Sequence, residues 1–336
     1  MNKNDFIPGK SILLFYKEYE ADKFILGDRY LKRILRPLYN LLHHRQKATG
    51  FFVSFTLLHK ALTRSGYHVH VNDHRLARSH PDYPVGLVGF PLLLDGWSLP
   101  NPAVLGPSLY DHPMLAPDLM RDERYRKFAT LAQWTYDMYH PVYGDTCFKW
   151  FAGIDCDEWP DLSGAEKEFD FLVYDKIRWD HDAFETSMIN PIFAELEKRG
   201  LTYTTLRYKF HDHEVYKNIL SKARGMIFLC EHETQGLAYQ EAMASNVPIL
   251  AWDNGYWLDP LWKRFQAHPQ PASSVPFFST SCGEKFAGIA EFPEALTLFM
   301  KSRETYAPRE YVKNSLSLAE SARIYAESYF SLIKSA

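Results

Sequence analysis

The sequence predicts an α/β protein built from two doubly wound domains, and three observations support this class. The chain has 336 residues, which is beyond the size at which a single hydrophobic core stops growing. Its hydrophobic content of 46% is enough to fill two cores. Short apolar runs of strand length alternate with segments of helical composition, and this alternation is typical of parallel sheets covered by helices.

The N-terminal half supplies the first elements of this pattern. Residues 11–16 form an apolar run of strand length. Over residues 50–62 the apolar side chains recur at helical spacing, and Gly66 is a typical helix end. Residues 67–71 then alternate as a strand. We therefore predict a strand-helix-strand order at the start of the first domain.

The C-terminal half repeats the alternation and predicts a second parallel sheet. Strands are predicted at 169–174, 201–208, 226–229 and 247–252. Helices are predicted at 184–198, 213–223 and 237–245. A last helical stretch is predicted from 311 to 334.

Two carboxylates bracket the turn between a predicted strand and the next helix. Glu233 lies in the turn after residues 226–229, at the strand end where open α/β sheets bind ligands, and Glu241 lies on the helix. From Gly236 to Glu241 a helix rises roughly 7.5 Å, which is about the reach from a diphosphate at the helix N-terminus to a ribose. The alternative is an acidic turn and a helical glutamate, each paired with nearby cations.

The segment Glu233-x7-Glu241, with Gly236-Leu237 inside it and Ala-Met-Ala-Ser-Asn-Val-Pro after it, resembles a known motif. It is similar to the E-x7-E donor-site motif of GT-B glycosyltransferases, especially glycosyltransferase family 4. The resemblance implies that Glu241 holds the ribose hydroxyls and that Glu233 lies near the donor sugar. It also implies that the sugar and diphosphate meet the backbone amides of a turn made of Thr234, Gln235, Gly236 and Leu237.

The same resemblance points to two cations and a glycine. In this family the loop after the first strand of the second domain supplies an Arg and a Lys to the diphosphate, which corresponds here to Lys176 and Arg178 in reversed order. Fixed positive charge stabilises a leaving diphosphate without a metal. The Gly-rich loop of the first domain corresponds to Gly50, where this chain has one glycine instead of a pair. The alternatives are a solvated basic loop and a plain glycine at a helix start.

A candidate base lies in the first domain. Asp111 and His112 follow a segment rich in turn formers, and proton transfer at neutral pH needs an imidazole or a tuned carboxylate. The alternative is an Asx-type turn with an exposed histidine before Pro113.

On this resemblance we expect the GT-B fold, with two Rossmann-like domains facing across a cleft. The expected domains are 1–160 on the acceptor side and 161–315 on the donor side, with a helix at 316–336 that packs back toward the first domain. The expected reaction moves a sugar from a nucleoside diphosphate sugar to a hydroxyl of a glycan, lipid-linked or polysaccharide-precursor acceptor, with retention. Two alternatives stay open: a nucleotide-sugar epimerase of the same fold, and a non-catalytic nucleotide-sugar-binding subunit of a glycan assembly complex.

We expect no metal and no cofactor beyond the sugar nucleotide as co-substrate. Two Asp-x-Asp pairs occur in the chain. Asp155 and Asp157 lie in the predicted hinge, whereas Asp180 and Asp182 are predicted to cap the helix that begins near Phe184.

Composition bounds the partners and the location. A net charge of −3 argues against a nucleic acid partner. The four cysteines are scattered, which is typical of reduced thiols in the cytoplasm, and no export or membrane-spanning segment is evident. Residues 29–47 contain six Arg and Lys and no acid, interleaved with apolar residues. Peripheral contact of this stretch with the inner face of the cell membrane is an open alternative, as are an anionic acceptor and a cover over the cleft.

Overall fold

The computed structural model describes residues 6–17, 50–107, 109–265 and 269–333. The chain forms two compact units. Unit 1 comprises residues 1–153 and 318–336, and unit 2 comprises residues 154–317. The boundaries predicted from the sequence are 160/161 and 315/316. The basic stretch 29–47 lies outside the described residues.

In its described residues, unit 1 contains a six-stranded sheet in which all the strand pairs are parallel. Its strands are β1 (Ser11–Lys17), β2 (His68–Val71), β3 (Val85–Gly89), β4 (Ala103–Leu105), β5 (Tyr125–Thr130) and β6 (Cys147–Lys149). Their order across the sheet is β2-β1-β3-β4-β5-β6. Strand β1 is buried along almost its whole length, as its continuous apolar run predicts for a strand with helices on both faces.

Helices cover this sheet, and the last one comes from the C-terminus. They are α1 (Gly50–Arg64), α2 (His74–Ser79), α3 (Gln133–Tyr143) and α10 (Leu318–Phe330). Helix α1 ends at Gly66, whose φ of +85° is a left-handed conformation that glycine adopts without strain. Helix α10 packs against α1. The hydroxyl of Tyr329 accepts a hydrogen bond from the backbone N–H of Leu13 at 2.9 Å, which ties α10 to β1.

Unit 2 contains a five-stranded sheet in its described residues, again with parallel strand pairs. Its strands are β7 (Phe169–Asp175), β8 (Tyr203–Arg207), β9 (Ala223–Leu229), β10 (Ile249–Trp252) and β11 (Gly283–Phe286), in the order β11-β10-β9-β7-β8. Its helices are α4 (His181–Phe184), α5 (Asn190–Lys198), α6 (His213–Lys222), α7 (Leu237–Ala244), α8 (Phe292–Ser302) and α9 (Pro308–Ser315). A π-helical segment, Glu185–Ile189, joins α4 to α5.

The alternation of strands and helices confirms the predicted class of two doubly wound, Rossmann-like α/β units. Two predicted elements differ from the structure. The helical stretch predicted over 311–334 is broken between α9 and α10, where Ser317 forms a β-bridge with Ile154 within unit 2. The helix predicted near Phe184 begins earlier, at His181. No helix among the described residues is long and apolar enough to cross a membrane.

Candidate functional site

The predicted site residues of unit 2 gather at the carboxyl edge of its sheet. Lys176 and Arg178 follow β7, and Glu233 follows β9. Strands β7 and β9 are adjacent and parallel, with Asp175 opposite Leu229, so the loops that follow them are neighbours. The backbone N–H of Lys176 donates to the carbonyl of Leu229 at 2.7 Å. Parallel topology therefore brings these cations and this carboxylate together.

Lys176 and Glu233 form an ion pair within this edge. Their side chains are only 13% and 10% exposed. Burial alone lowers the pKa of Lys176, but the facing carboxylate of Glu233 raises it above its usual value, so the ammonium is charged at neutral pH. The Lys176 Nζ also lies 4.6 Å from the centre of the Tyr208 ring. The alternative interpretation of Glu233 anticipated a nearby cation, and the structure shows that this cation is itself a predicted site residue.

Arg178 is held by a second carboxylate, Glu231. Its Nε lies 3.3 Å from Glu231 Oε2, and its Nη2 donates to the carbonyl of His232 at 2.6 Å. The Glu231 side chain is fully buried, and it also accepts the backbone N–H groups of Arg178 at 2.7 Å and Trp179 at 3.0 Å. The loop after β7 is therefore fastened to the loop after β9 by one carboxylate.

Glu241, on α7, has no hydrogen bond to its carboxylate and no ion pair in the part of the chain that the structure describes. The residue is partly buried. Burial raises the pKa of Glu241 from 4.5 to about 8, and the more distant cations Lys217 and Lys176 offset this only in part. Because the residue keeps some exposed surface and has no protein partner among the described residues, its carboxyl oxygens can accept hydrogen bonds from water or a ligand.

We expect Glu241→Gln to flatten the pH dependence of stability. Because the folded-state pKa is raised, the contribution of this group to stability is fully present below pH 4.5 and is lost as the pH rises toward 8. The loss is at most about 1.4 kcal/mol per pH unit. Urea unfolding at pH 5 and pH 8 measures it, with Glu195→Gln, at a position paired with Arg199, as control. Equal pH dependence in wild type and Glu241→Gln would contradict the prediction.

The turn between Glu233 and α7 has a backbone that requires glycine. Gly236 has a φ of +80°, and a Cβ at this position would lie 2.1 Å from the ring of Tyr239. Gln240 on α7 secures the turn from inside, donating to the carbonyl of Gln235 at 2.7 Å and accepting from its side chain at 2.6 Å. Thr234 and Leu237 complete the predicted turn, and α7 begins at Leu237.

The remaining predicted site residues belong to unit 1. Gly50 is the first residue of α1. Asp111 is exposed, whereas His112 is buried and its Nδ1 accepts the backbone N–H of Met114 at 3.1 Å. Burial lowers the pKa of His112, so the imidazole is neutral at neutral pH. The alternative to a catalytic base, an exposed histidine before Pro113, is wrong in its exposure.

The Asp-x-Asp pairs are placed differently from one another. Asp180 precedes α4 and has a left-handed φ of 48°. Its side chain makes no capping hydrogen bond, so the prediction that Asp180 caps the helix is wrong. His181, Asp182 and Glu185 bring potential metal ligands within 4.8 Å of one another on a largely exposed surface. His181 Nε2 also hydrogen-bonds Asp175 Oδ2 at 2.6 Å. Asp155 instead accepts the backbone N–H of Asp157.

Sequence reasoning missed Glu231, His232 and Gln240. Glu231 lies two residues after β9 and two before Glu233. This position at a strand end could have identified it as a candidate site residue. His232 gave no signal, because its role depends on stacking: its ring lies 5.4 Å from that of Trp179 and 5.9 Å from that of Trp257.

Comparisons with known proteins identify the fold. Neither the protein-family models nor the curated protein sequences include a match to this chain. Sucrose-phosphate synthase from Thermosynechococcus elongatus superposes with a TM-score of 0.58 at 11% identity, covering 96% of this chain and 99% of that one. AviGT4, a glycosyltransferase involved in avilamycin A biosynthesis, gives 0.50 at 13% identity, covering 97% and 98%. The catalytic domain of starch synthase IV from Arabidopsis thaliana, bound to ADP and acarbose, gives 0.50 at 11% identity, covering 86% and 79%.

These structural neighbours are GT-B glycosyltransferases, and the chain shares their two-domain, Rossmann-like α/β fold. At such identities the likeness establishes the fold, and the activity has to be argued from the site.

Proposed function

We propose that this protein is a glycosyltransferase that moves a sugar from a nucleoside diphosphate sugar to a hydroxyl acceptor. The observation that carries the proposal is the carboxyl group of Glu241, partly buried and without a hydrogen bond or ion pair among the described residues. It lies on the helix that begins at Gly236, and a helix N-terminus favours phosphate. A ribose offers the vicinal hydroxyls that would satisfy such a carboxyl group.

The charged groups at the same edge support the phosphate end of this assignment. Lys176 and Arg178 are fixed cations next to the turn, and a nucleoside diphosphate gains negative charge as it leaves. Glu233 pairs with Lys176 and directly precedes the turn in the sequence, and the E-x7-E resemblance to family 4 assigns it to the sugar. Retention at the anomeric carbon, a glycan, lipid-linked or polysaccharide-precursor acceptor and a cytoplasmic location complete the proposal by resemblance and composition. Peripheral membrane contact through residues 29–47 stays one of the alternatives.

Binding of nucleotides tests the proposal directly. In a thermal-shift screen we expect one of UDP, GDP and ADP to stabilise the protein, by about 2.7 kcal/mol at 100 times its Kd. Glu241→Ala should weaken that binding, while Glu195→Ala, on α5 of the same unit, should not. Stabilisation by none of these nucleotides or their sugars would overturn the proposal. Turnover of the sugar nucleotide without any acceptor would favour an epimerase instead.

We also propose that transfer is independent of a metal, because Lys176, Arg178 and the N-terminus of α7 supply the positive charge. Activity should therefore persist in EDTA and should be unchanged by Asp182→Asn. The alternative is specific, since His181, Asp182 and Glu185 can approach one ion. Activity that vanishes in EDTA, returns with Mn²⁺ or Mg²⁺, and is lost in Asp182→Asn would show that this cluster supplies a required metal.

A further inference from the structure

Glu231 is the most deeply buried charged group at the candidate site. Its side chain has no exposed surface, yet it lies only two residues from Glu233. A buried carboxylate is tolerated only when hydrogen bonds and an opposite charge compensate for lost hydration. Three N–H groups, all from Arg178 and Trp179, provide this compensation. The carboxylate is therefore bound to the loop that follows β7.

One side of the Arg178 guanidinium is bound to the protein, and the other side is partly exposed. Nε faces Glu231, and Nη2 donates to the carbonyl of His232. In the part of the chain that the structure describes, Nη1 has no hydrogen bond, and the side chain keeps 28% of its surface exposed. A guanidinium offers five N–H donors in a fixed fork, so holding one side of it fixes the direction of the other.

Stacked rings reinforce this arrangement. The guanidinium carbon of Arg178 lies 4.4 Å from the centre of the Trp179 ring, which stacks on His232 at an interplanar angle of 12°. Burial and the cations Arg178 and Lys176 lower the pKa of His232 well below its usual value, so the ring is neutral. Asn254, after β10, donates to the carbonyl of Glu231 at 2.8 Å. Glu231 thus joins the loops that follow three neighbouring strands.

We propose that Glu231 is a positioning residue of the donor site: it fixes Arg178 so that Nη1 is held ready for the diphosphate of the donor. This inference rests on the proposed function. Glu231 itself does not touch the donor. It acts only through Arg178, so its removal should weaken the recognition of phosphate and leave the recognition of the nucleoside unchanged.

Calorimetry with paired probes tests this inference. The probes are whichever of UDP, GDP and ADP wild type binds most tightly, and its matching nucleoside. We expect Arg178→Ala and Glu231→Gln each to weaken diphosphate binding roughly 10- to 100-fold, since a hydrogen bond to a charged group is lost. The double variant should be no more than about threefold weaker than Arg178→Ala, because coupled residues are not additive. Affinity for the nucleoside should stay within about twofold of wild type.

Glu195→Gln is the matched control, because Glu195 also pairs with an arginine, Arg199, on the same unit. Glu231→Asp serves as a second variant if Glu231→Gln unfolds, and it should bind the diphosphate more weakly than wild type. If wild type binds the diphosphate and both Glu231→Gln and Glu231→Asp bind it with the same affinity, the positioning role is overturned and the proposed function stands. Equal weakening for diphosphate and nucleoside would show a merely structural role. Absence of binding in wild type would overturn the proposed function itself.

Discussion

Replacing Lys176 by methionine is expected to lower the free energy of unfolding by about 3–5 kcal/mol. The methionine keeps the length of the side chain but removes the charge that faces Glu233. Both partners are nearly buried, so the glutamate loses its ion-pair partner in a poorly hydrated site, and removing one partner of a buried pair has a cost of this size. Urea unfolding at pH 7 measures the change.

Two variants separate this effect from a simple loss of packing. Lys176→Met combined with Glu233→Gln should recover most of the stability, because no unpaired charge remains. Lys198→Met is the matched control: Lys198 pairs with Glu195 but is 77% exposed, and such a surface pair contributes about 0–1 kcal/mol. A stability within 0.5 kcal/mol of wild type would show that the pair is not energetically coupled.

Much of the fold could be predicted from the sequence because the relevant signals are local. The apolar runs at β1, β7 and β9 predicted strands, because a near-continuous apolar run of this length is typical of a strand that is buried on both faces. The break at Ser317 could not be predicted, because helical composition continues through it. At the break Ser317 forms a β-bridge with Ile154, a contact between residues that are far apart in the sequence.

The site shows the same division between local and long-range information. The glycine at 236 was readable because a turn with φ above zero needs it. The pairing of Lys176 with Glu233 and of Arg178 with Glu231 depends on which strands are neighbours in the sheet. The sequences of the two loops do not reveal this strand order. Lys176, Arg178 and Glu233 were therefore found as candidates, whereas their pairing and the role of Glu231 were not.

Glu233→Gln is expected to lower kcat by about 10²- to 10³-fold, the size seen when one preorganised electrostatic group is removed from a site. If Glu233 faces the positive charge that develops at the anomeric centre, its charge matters in the transition state and little in the ground state. Binding of the free nucleoside diphosphate should be unchanged or tighter, because Lys176 loses its protein partner and becomes available to phosphate.

The matched variant for this last prediction is Glu241→Ala, which should show the opposite division of effects. Its carboxyl group is assigned to ribose hydroxyls in the ground and transition states alike. Because its raised pKa of about 8 keeps the group largely uncharged at pH 7, the affinity for the diphosphate should fall roughly 2- to 13-fold. Calorimetry with the diphosphate and turnover of the sugar nucleotide, measured on both variants, distinguish the two roles. If Glu233→Gln turns over like wild type and Glu241→Ala keeps its nucleotide affinity, then both carboxylates are structural.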